Sequence, residues 1–182
     1  MLKIKKATID DAKIIALLGR ITFSETFGNL FRDENDLGDY LNRTFSVDKI
    51  SYSIKKPENI YWTAFWEKLP VGYAKLKLNS ASAFIDSGNV CQLQKIYVLN
   101  DFLSNKIGQK LQEALLNEAT NQKFDSIWLS VWEGNDRAIR FYEKHDFKII
   151  GNHYFEIGKE SFQFQAMAKE LNIINKNSIL NF

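Results

Sequence analysis

Between residues 89 and 147 the chain passes twice from a strand pattern to a helix pattern, and this alternation constrains the fold more than any other feature. The first strand, NVCQLQKIYVL, precedes the segment SNKIGQKLQEALLNEATNQ, in which apolar side chains recur at helical spacing at Leu111, Leu115 and Ala119. The second strand, SIWLSVW, precedes the helix NDRAIRFYEKH, for which Asn135 is the predicted N-cap. Two successive strand–helix units predict a sheet covered by helices.

The segments on either side extend this pattern. LKIKKA is predicted as a strand, and Thr8 and Asp11 have the spacing of a cap for the helix that follows. The predicted apolar stripe of that helix is Ile14, Leu17, Leu18 and Ile21. DENDLGDYLNRTFS and VDKISYSIKK predict two short helices, NIYWTAFWEKLPVGYAKLKLN predicts a hairpin that turns at EKLP, and FKIIGNHYFEIG with ESFQFQAMAKEL predicts a closing hairpin.

This order of elements predicts an α/β or α+β fold with a mixed sheet. The 182 residues have the length of one ordinary domain, which we place at 1–171, followed by a polar C-terminal tail at 172–182. Strict alternation in the strand NVCQLQKIYVL predicts two faces. One face would carry Val90, Gln92, Gln94, Ile96 and Val98, and the other Cys91, Leu93, Lys95 and Tyr97.

Composition excludes several classes of function. The net charge is +2 and there is no long basic run, so nucleic acid is not the expected partner. The N-terminal residues show no signal-peptide pattern and no apolar run is long enough to span a bilayer, so we expect no membrane contact and a cytoplasmic location. The single cysteine, Cys91, excludes an internal disulfide and is expected in the core. The histidines are only His145 and His153, and no cluster of cysteine and aspartate has ligand spacing, so no metal site is expected.

The segment IYVLNDFLSNKIG leads from a strand through a polar loop into a helix that begins near Ile107. A loop that enters a helix offers free backbone N–H groups and the positive end of the helix dipole, which suits a pyrophosphate. Many strand–loop–helix units bind no ligand, so this pattern alone has low specificity.

Combined with the segment SVWEGNDRAIRFYEKHDF, the pattern resembles the paired core motifs of the GCN5-related N-acetyltransferase (GNAT) superfamily. The second segment is similar to the family block N-x-x-A-x-x-F-Y-x-x-x-G-F, which falls here on Asn135, Ala138, Phe141, Tyr142, Asp146 and Phe147. Within the superfamily, ITFSETF, IYV, IWLSVWEGNDRAIRFYEKHDF and GNHYFEIG are most similar to PaiA-type spermine/spermidine N-acetyltransferases. The resemblance implies the GNAT acyl-CoA N-acyltransferase fold, with acetyl-CoA as co-substrate and a small-molecule amine, a polyamine such as spermidine or spermine, as acceptor.

The resemblance also implies where acetyl-CoA binds. Backbone groups of Ile96, Tyr97 and Val98 would pair with the pantetheine arm, with a backbone N–H near Val98 polarising the thioester carbonyl. Further cofactor-binding candidates are Leu103, Ser104, Asn105, Lys106, Ile107, Gly108, Gln109, Asn135 and Lys144. The family loop carries glycine where this chain has Lys106, and a polar residue where it has Leu103. Because glycine lets backbone approach phosphate closely, Lys106 would have to compensate with its charge.

Three catalytic tasks follow from the implied reaction: removing a proton from the amine, stabilising the oxyanion and protonating the thiolate. The resemblance places Tyr142 near the sulfur, and we predict that it protonates the thiolate, because a phenol with a pKa of about 10 carries a proton at neutral pH. The candidates for the base are Glu25, Glu133 and His153. Related enzymes tend to carry glutamates at the positions of Gln92 and Gln94, and glutamine accepts no proton. The predicted acceptor-binding residues are Glu25, Gln92, Gln94 and His153.

Other readings of the sequence stay open. The acceptor is alternatively another small amine or a protein N-terminus, and a homodimer is an open alternative for the assembly. A non-catalytic acyl-CoA-binding regulatory module would explain the departures at Gln92, Gln94, Leu103 and Lys106, although such a module has no need for the phenol of Tyr142. An α/β domain in which Phe141 and Tyr142 are only core residues would bind no coenzyme A.

Overall fold

Seven strands form one mixed sheet in the order β1-β2-β3-β4-β5-β7-β6. The computed structural model describes residues 1–86 and 88–171, and the predicted tail 172–182 lies outside the described residues. The strands are β1 (Leu2–Lys6), β2 (Asn59–Trp66), β3 (Leu69–Lys77), β4 (Val90–Val98), β5 (Ser126–Trp132), β6 (Lys148–Ile157) and β7 (Glu160–Glu170). Within the described chain β4 and β5 pair in parallel, and the other neighbours are antiparallel. The predicted mixed α/β fold is confirmed.

Within residues 1–86 and 88–171, five α-helices cover the two faces of the sheet. They are α1 (Ala12–Phe27), α2 (Glu34–Thr44), α3 (Val47–Ile54), α4 (Ile107–Asn121) and α5 (Asp136–Lys144). On one face α1, α2 and α3 bury an aromatic-rich core that includes Phe23, Phe45 and Tyr73. On the other face α4 and α5 enclose a second core, in which the predicted stripe of α4 is fully buried. Cys91 is buried in this second core, as predicted.

The buried stripe of α1 differs from the predicted one. Leu17 is 57% exposed and Ile21 is 39% exposed, whereas Ile15 and Gly19 face the core. A β-carbon at Gly19 would lie 2.3 Å from a ring carbon of Phe45, so the missing side chain lets that ring pack against the helix. Ile14 and Leu18 pack in the core as predicted, but the prediction was wrong for Leu17 and Ile21, because apolar spacing alone cannot identify a glycine as the point of closest packing.

The two faces of β4 also differ from strict alternation. Lys95 pairs with Lys75 of β3, but the next pair joins Leu93 to Leu76, so Gln94 is the extra residue of a β-bulge. The bulge shifts the phase of the strand. Cys91, Leu93, Ile96 and Val98 therefore share the core on the α4 side, and Tyr97 lies on the α1 side. The predicted alternation through Gln94 is corrected accordingly, since a bulge inserts one residue without leaving a mark in the apolar pattern.

We expect Gly72→Ala to destabilise the protein by about 1–3 kcal/mol. A β-carbon at Gly72 would lie 2.6 Å from the carbonyl oxygen of Tyr97, and backbone cannot move aside as a side-chain end can. The matched control is Gly38→Ala in α2, where nothing lies within 4 Å and alanine is the better helix former. Urea unfolding midpoints measure both variants. Equal midpoints for the two variants would contradict the close contact between β3 and β4.

Candidate active site

The cleft opens where two neighbouring strands separate. The parallel pairing of β4 with β5 covers Val90 to Gln92 and stops at Trp128 of β5. Beyond this point β4 continues with β3 and β5 continues with β7, so the edges that face each other have no strand partner. A cleft of about 760 Å³ lies there, lined by Leu93–Val98 of β4 and Ser130–Trp132 of β5. That volume is in the range of sites for small molecules and cofactors.

The exposed edge of β4 presents backbone groups to the cleft. In an antiparallel ladder successive residues direct their N–H groups alternately toward and away from the partner strand. The N–H of Leu99 donates to the carbonyl oxygen of Val71 at 3.0 Å, so Tyr97 has the same phase. Ile96 and Val98 therefore direct their backbone groups away from β3, toward the side where β5 has separated.

The loop before α4 forms one wall of the cleft. Ser104 and Lys106 have positive φ angles of 69° and 58°, and Lys106 is the N-cap of α4 without a capping side-chain hydrogen bond. The first N–H groups of α4 are therefore open to a ligand. The predicted residues that line the cleft are Leu103, Ser104, Lys106, Ile107, Gly108 and Gln109. Asn105 does not line it, because its amide donates instead to the carbonyl oxygens of Phe102 and Leu103.

A cationic face of α5 lies on the same side. Arg137, Arg140 and Lys144 all line the cleft, and Arg137 donates to the hydroxyl of Ser104 at 3.3 Å. Two of these residues, Arg137 and Arg140, are not among the sites predicted from the sequence. Their spacing of three and then four residues up to Lys144 places them on one helix face and is the signal that would have identified them. Together with Lys106 they suit the phosphates of coenzyme A.

Tyr142 and Asn135 lie on the face of α5 that borders the cleft. Asn135 caps the helix as predicted, since its side-chain oxygen accepts from the N–H of Ala138 at 3.0 Å. The ring of Tyr142 is buried at 8% exposure and packs against Phe141 and Phe147. Burial raises the pKa of the phenol well above its ordinary value, so the hydroxyl keeps its proton. Within the described chain this hydroxyl makes no hydrogen bond to another residue.

The opposite half of the cleft is formed by α1, β5 and β7. Thr22, Glu25 and Thr26 line it from α1, and Trp132 and Phe164 line it from the sheet. The carboxylate of Glu25 accepts from the backbone N–H of Asn100 at 3.2 Å, which ties α1 to the end of β4. Lys95 lines the same half. This half therefore combines one carboxylate, one lysine and a group of aromatic rings.

Besides Asn105, three predicted residues do not line the cleft. Glu133 is exposed in the turn after β5, and Gln92 accepts a hydrogen bond from the hydroxyl of Ser80 at 3.2 Å. His153 lies behind the wall, where its Nε2 is 2.8 Å from the hydroxyl of Ser130, which does line the cleft. Gln94, at the bulge, lines the cleft.

The described residues contain neither a group of ligands that could hold a metal ion nor a helix long and apolar enough to cross a membrane. The site consists of a loop that leads into an uncapped helix start with cations beside it, an open strand edge, a buried phenol, and a pocket that contains Glu25 and Lys95.

Solved acetyltransferases share this arrangement of sheet and helices. PaiA N-acetyltransferase from Thermoplasma acidophilum, solved in complex with coenzyme A, superposes with a TM-score of 0.74 at 19% identity, covering 93% of this chain and 99% of that one. Ribosomal-protein-alanine N-acetyltransferase from Brucella melitensis superposes with a TM-score of 0.67 at 18% identity, covering 93% and 99%. At this level of identity the likeness establishes the fold, which is that of the acyl-CoA N-acyltransferases.

The family itself is shown by sequence. The model of the acetyltransferase (GNAT) family matches residues 24–147, and the chain belongs to this family. An uncharacterized N-acetyltransferase of Lactobacillus delbrueckii subsp. lactis is 26% identical over 158 residues, which cover 87% of this chain and 91% of the relative. A second one, from Mycobacterium tuberculosis, is 27% identical over 135 residues, covering 74% and 82%. The protein is an acetyl-CoA-dependent N-acetyltransferase, as the sequence predicted.

We expect the charge of Lys106 to contribute to the affinity for coenzyme A. Lys106→Gly and Lys106→Asn both suit a positive φ and remove the charge, so both should weaken binding by about two- to fivefold and reduce its salt dependence. Isothermal titration with coenzyme A measures the change. The control is Lys110→Gln, one turn further along α4, where the side chain pairs with Glu113 outside the cleft. Tighter binding by the glycine variant would show instead that backbone geometry limits the affinity.

Proposed function

We propose that the chain transfers the acetyl group of acetyl-CoA directly to a small primary amine, with Tyr142 as the acid that protonates the departing thiolate. The observation that carries this proposal is the buried, proton-retaining phenol in the cleft beside the open edge of β4. A module that only binds acyl-CoA has no use for such a group. That acetyl-CoA is the co-substrate follows from membership in the family. The catalytic roles are assigned from the residues that line the cleft.

The open edge of β4 suits the thioester. We infer that the backbone N–H of Val98 donates to the acetyl carbonyl oxygen, and that neighbouring groups of Ile96 pair with the pantetheine arm. Fixed donors stabilise the negative charge that develops on this oxygen when the amine attacks. Because the thioester oxygen gains charge only as the new C–N bond forms, donors already in place lower the barrier without having to reorganise.

The amine must lose a proton, and two routes are available. Glu25 lines the cleft and can accept the proton directly or through water. The hydroxyl of Ser130 can instead pass it to His153, which lies 2.8 Å away. We propose Glu25 as the acceptor of the proton, because its carboxylate itself borders the space in which the amine must lie. Glu133 is not proposed for this role, since it does not line the cleft.

The narrower hypothesis from the sequence names a polyamine as the amine. The carboxylate of Glu25 in the cleft supports it, because a carboxylate attracts a polycation. Lys95, in the same half of the cleft, weighs against a polycation because like charges repel. A second candidate is therefore a small amine that carries an anionic group.

We expect Tyr142→Phe to lower kcat by about 100-fold or more while leaving the affinity for coenzyme A unchanged. The variant removes only the hydroxyl, and the ring keeps its contacts in the core. Thiol release is measured with acetyl-CoA and a panel of amines that includes spermidine and spermine. Tyr154→Phe is the matched control, since Tyr154 is 67% exposed and lies outside the cleft. A rate within a few-fold of the parent protein would remove Tyr142 from the mechanism.

We expect Glu25→Gln to lower kcat/KM by about 100-fold, because the amide cannot take the proton. Ser130→Ala should change the rate by a few-fold at most. The same steady-state assay, run on Glu25→Gln, Ser130→Ala, His153→Gln and the Ser130/His153 double variant, separates the two routes. Equal and non-additive losses in the last three variants, with Glu25→Gln still active, would assign the proton to the Ser130–His153 pair.

A further inference from the structure

Two lysines without acidic partners face each other across β3 and β4. Lys75 and Lys95 are paired in register, so their α-carbons lie about 5 Å apart and their side chains leave the same face of the sheet. Lys75 is 8% exposed, and its Nζ contacts the hydroxyl of Ser53 at 3.2 Å and the ring of Tyr61 at 5.3 Å. In the part of the chain that the structure describes, no carboxylate forms an ion pair with either lysine.

Lys95 is held by aromatic rings alone. Its Nζ lies 5.1 Å from the ring centre of Phe45 and 5.3 Å from that of Tyr97, and no hydrogen bond to another described residue is present. Removing an ammonium group from water is costly unless an anion or hydrogen-bond acceptors replace the water. A lysine that borders a cleft without such a partner on its own chain is therefore poised for an anion that comes from outside.

A second cavity extends from this pair. It has a volume of about 220 Å³ and is lined by Lys75. Its lining includes four lysines, Lys49, Lys56, Lys75 and Lys77, and a single acid, Glu58. Gln94, the bulge residue of β4, lines both this cavity and the main cleft. The positive charge thus continues from the acceptor half of the cleft into a polar cavity next to it.

We propose that the amine acceptor of this enzyme carries an anionic group, a carboxylate or a phosphate, which Lys95 receives with Lys75 behind it. The inference rests on the proposed function and narrows its substrate class. Glu25 and Lys95 border the same half of the cleft, so one acidic and one basic side chain can receive the two ends of an amine that also bears an anion. Lys95 precedes Val98 by three residues, or about 10 Å along a strand, which sets the scale of the separation between amine and anion.

The protonation of the two lysines predicts how the preference changes with pH. Burial, aided by the neighbouring positive charges, lowers the pKa of Lys75 to about 7, and burial lowers the pKa of Lys95 to about 8. The charged and titratable groups around Lys75 are Lys95, Lys77, Glu58, Lys49 and Tyr61, and Tyr97 lies beside Lys95. Both lysines are charged below pH 7 and lose their protons as the pH rises through 7 and 8. The KM of the anionic acceptor should therefore rise toward that of the alkylamine as the pH increases from 7 to 8.

The experiment compares amines that differ only in the group at the end opposite the reactive amino group. The series consists of an alkylamine, the ω-amino acid, the aminoalkyl phosphate and the α,ω-diamine of equal carbon count, with spermidine included. We expect a KM for the better anionic acceptor about tenfold below that of the alkylamine, and a still higher KM for the diamine. The comparison of the ω-amino acid with the aminoalkyl phosphate shows whether the site prefers a carboxylate or a phosphate.

Variants assign this preference to the lysines. Lys95→Met should raise the KM of the anionic acceptor to that of the alkylamine, so that the roughly tenfold ratio of the two KM values falls to about one. Lys75→Met should have a smaller effect of the same kind, and it should remain folded because it removes a buried charge. Lys68→Gln, in the exposed turn between β2 and β3, is the control of equal charge change.

The outcomes separate the two proposals. A lower KM for the diamine or spermidine than for every anionic acceptor would overturn this inference and leave the transferase mechanism in place. The same holds if Lys95→Met keeps the full preference for the anionic amine. Absence of thiol release with every amine would contradict the proposed function instead.

Discussion

The site depends on the point at which β4 and β5 stop pairing. Their parallel ladder ends at Gln92, and a bulge at Gln94 then shifts the phase of β4. From there β4 has hydrogen-bonding groups on one edge that no neighbouring strand uses. In a closed sheet such groups would be paired, and buried backbone groups without partners are costly. An extended ligand arm with amide groups can supply the missing partner, which is why the separation of two strands amounts to a binding site.

The charged residues around this opening differ between its two sides. On the α4 and α5 side, Lys106, Arg137, Arg140 and Lys144 form a cationic wall beside the open start of a helix, which suits phosphates. On the α1 side the cleft contains one carboxylate, Glu25, and the lysine Lys95. Between the two sides the environment of Tyr142 is apolar, and this keeps its proton in place. The same desolvation that keeps a phenol protonated favours the neutral form of a lysine, so burial acts on both groups by excluding water.

The fold could largely be read from the sequence because its elements are marked by local chemistry. The cap at Asn135, the stripe of α4 and the turns of both hairpins involve residues close together in the chain, and each was predicted. Two predictions failed in part, for a shared reason. The buried face of α1 depends on the ring of Phe45 meeting Gly19, and the phase of β4 depends on the register with β3. Both are set by partners distant in sequence, which periodicity does not detect.

The residues of the site divide in the same way, into those that contiguous segments carry and those that contacts distant in sequence bring together. The sequence by itself showed the polar loop before α4 and the segment that carries Tyr142, because each is a contiguous stretch, and the resemblance of these segments to the GNAT family implied the class of reaction. Only the tertiary structure decided which acids and bases meet there. It brought Glu25, Lys95 and Ser130 to one cleft from three different elements, and it placed Gln92 and Glu133 outside the cleft. It also set Lys75 opposite Lys95, twenty positions away in the chain, because strand pairing is specified by the whole sheet.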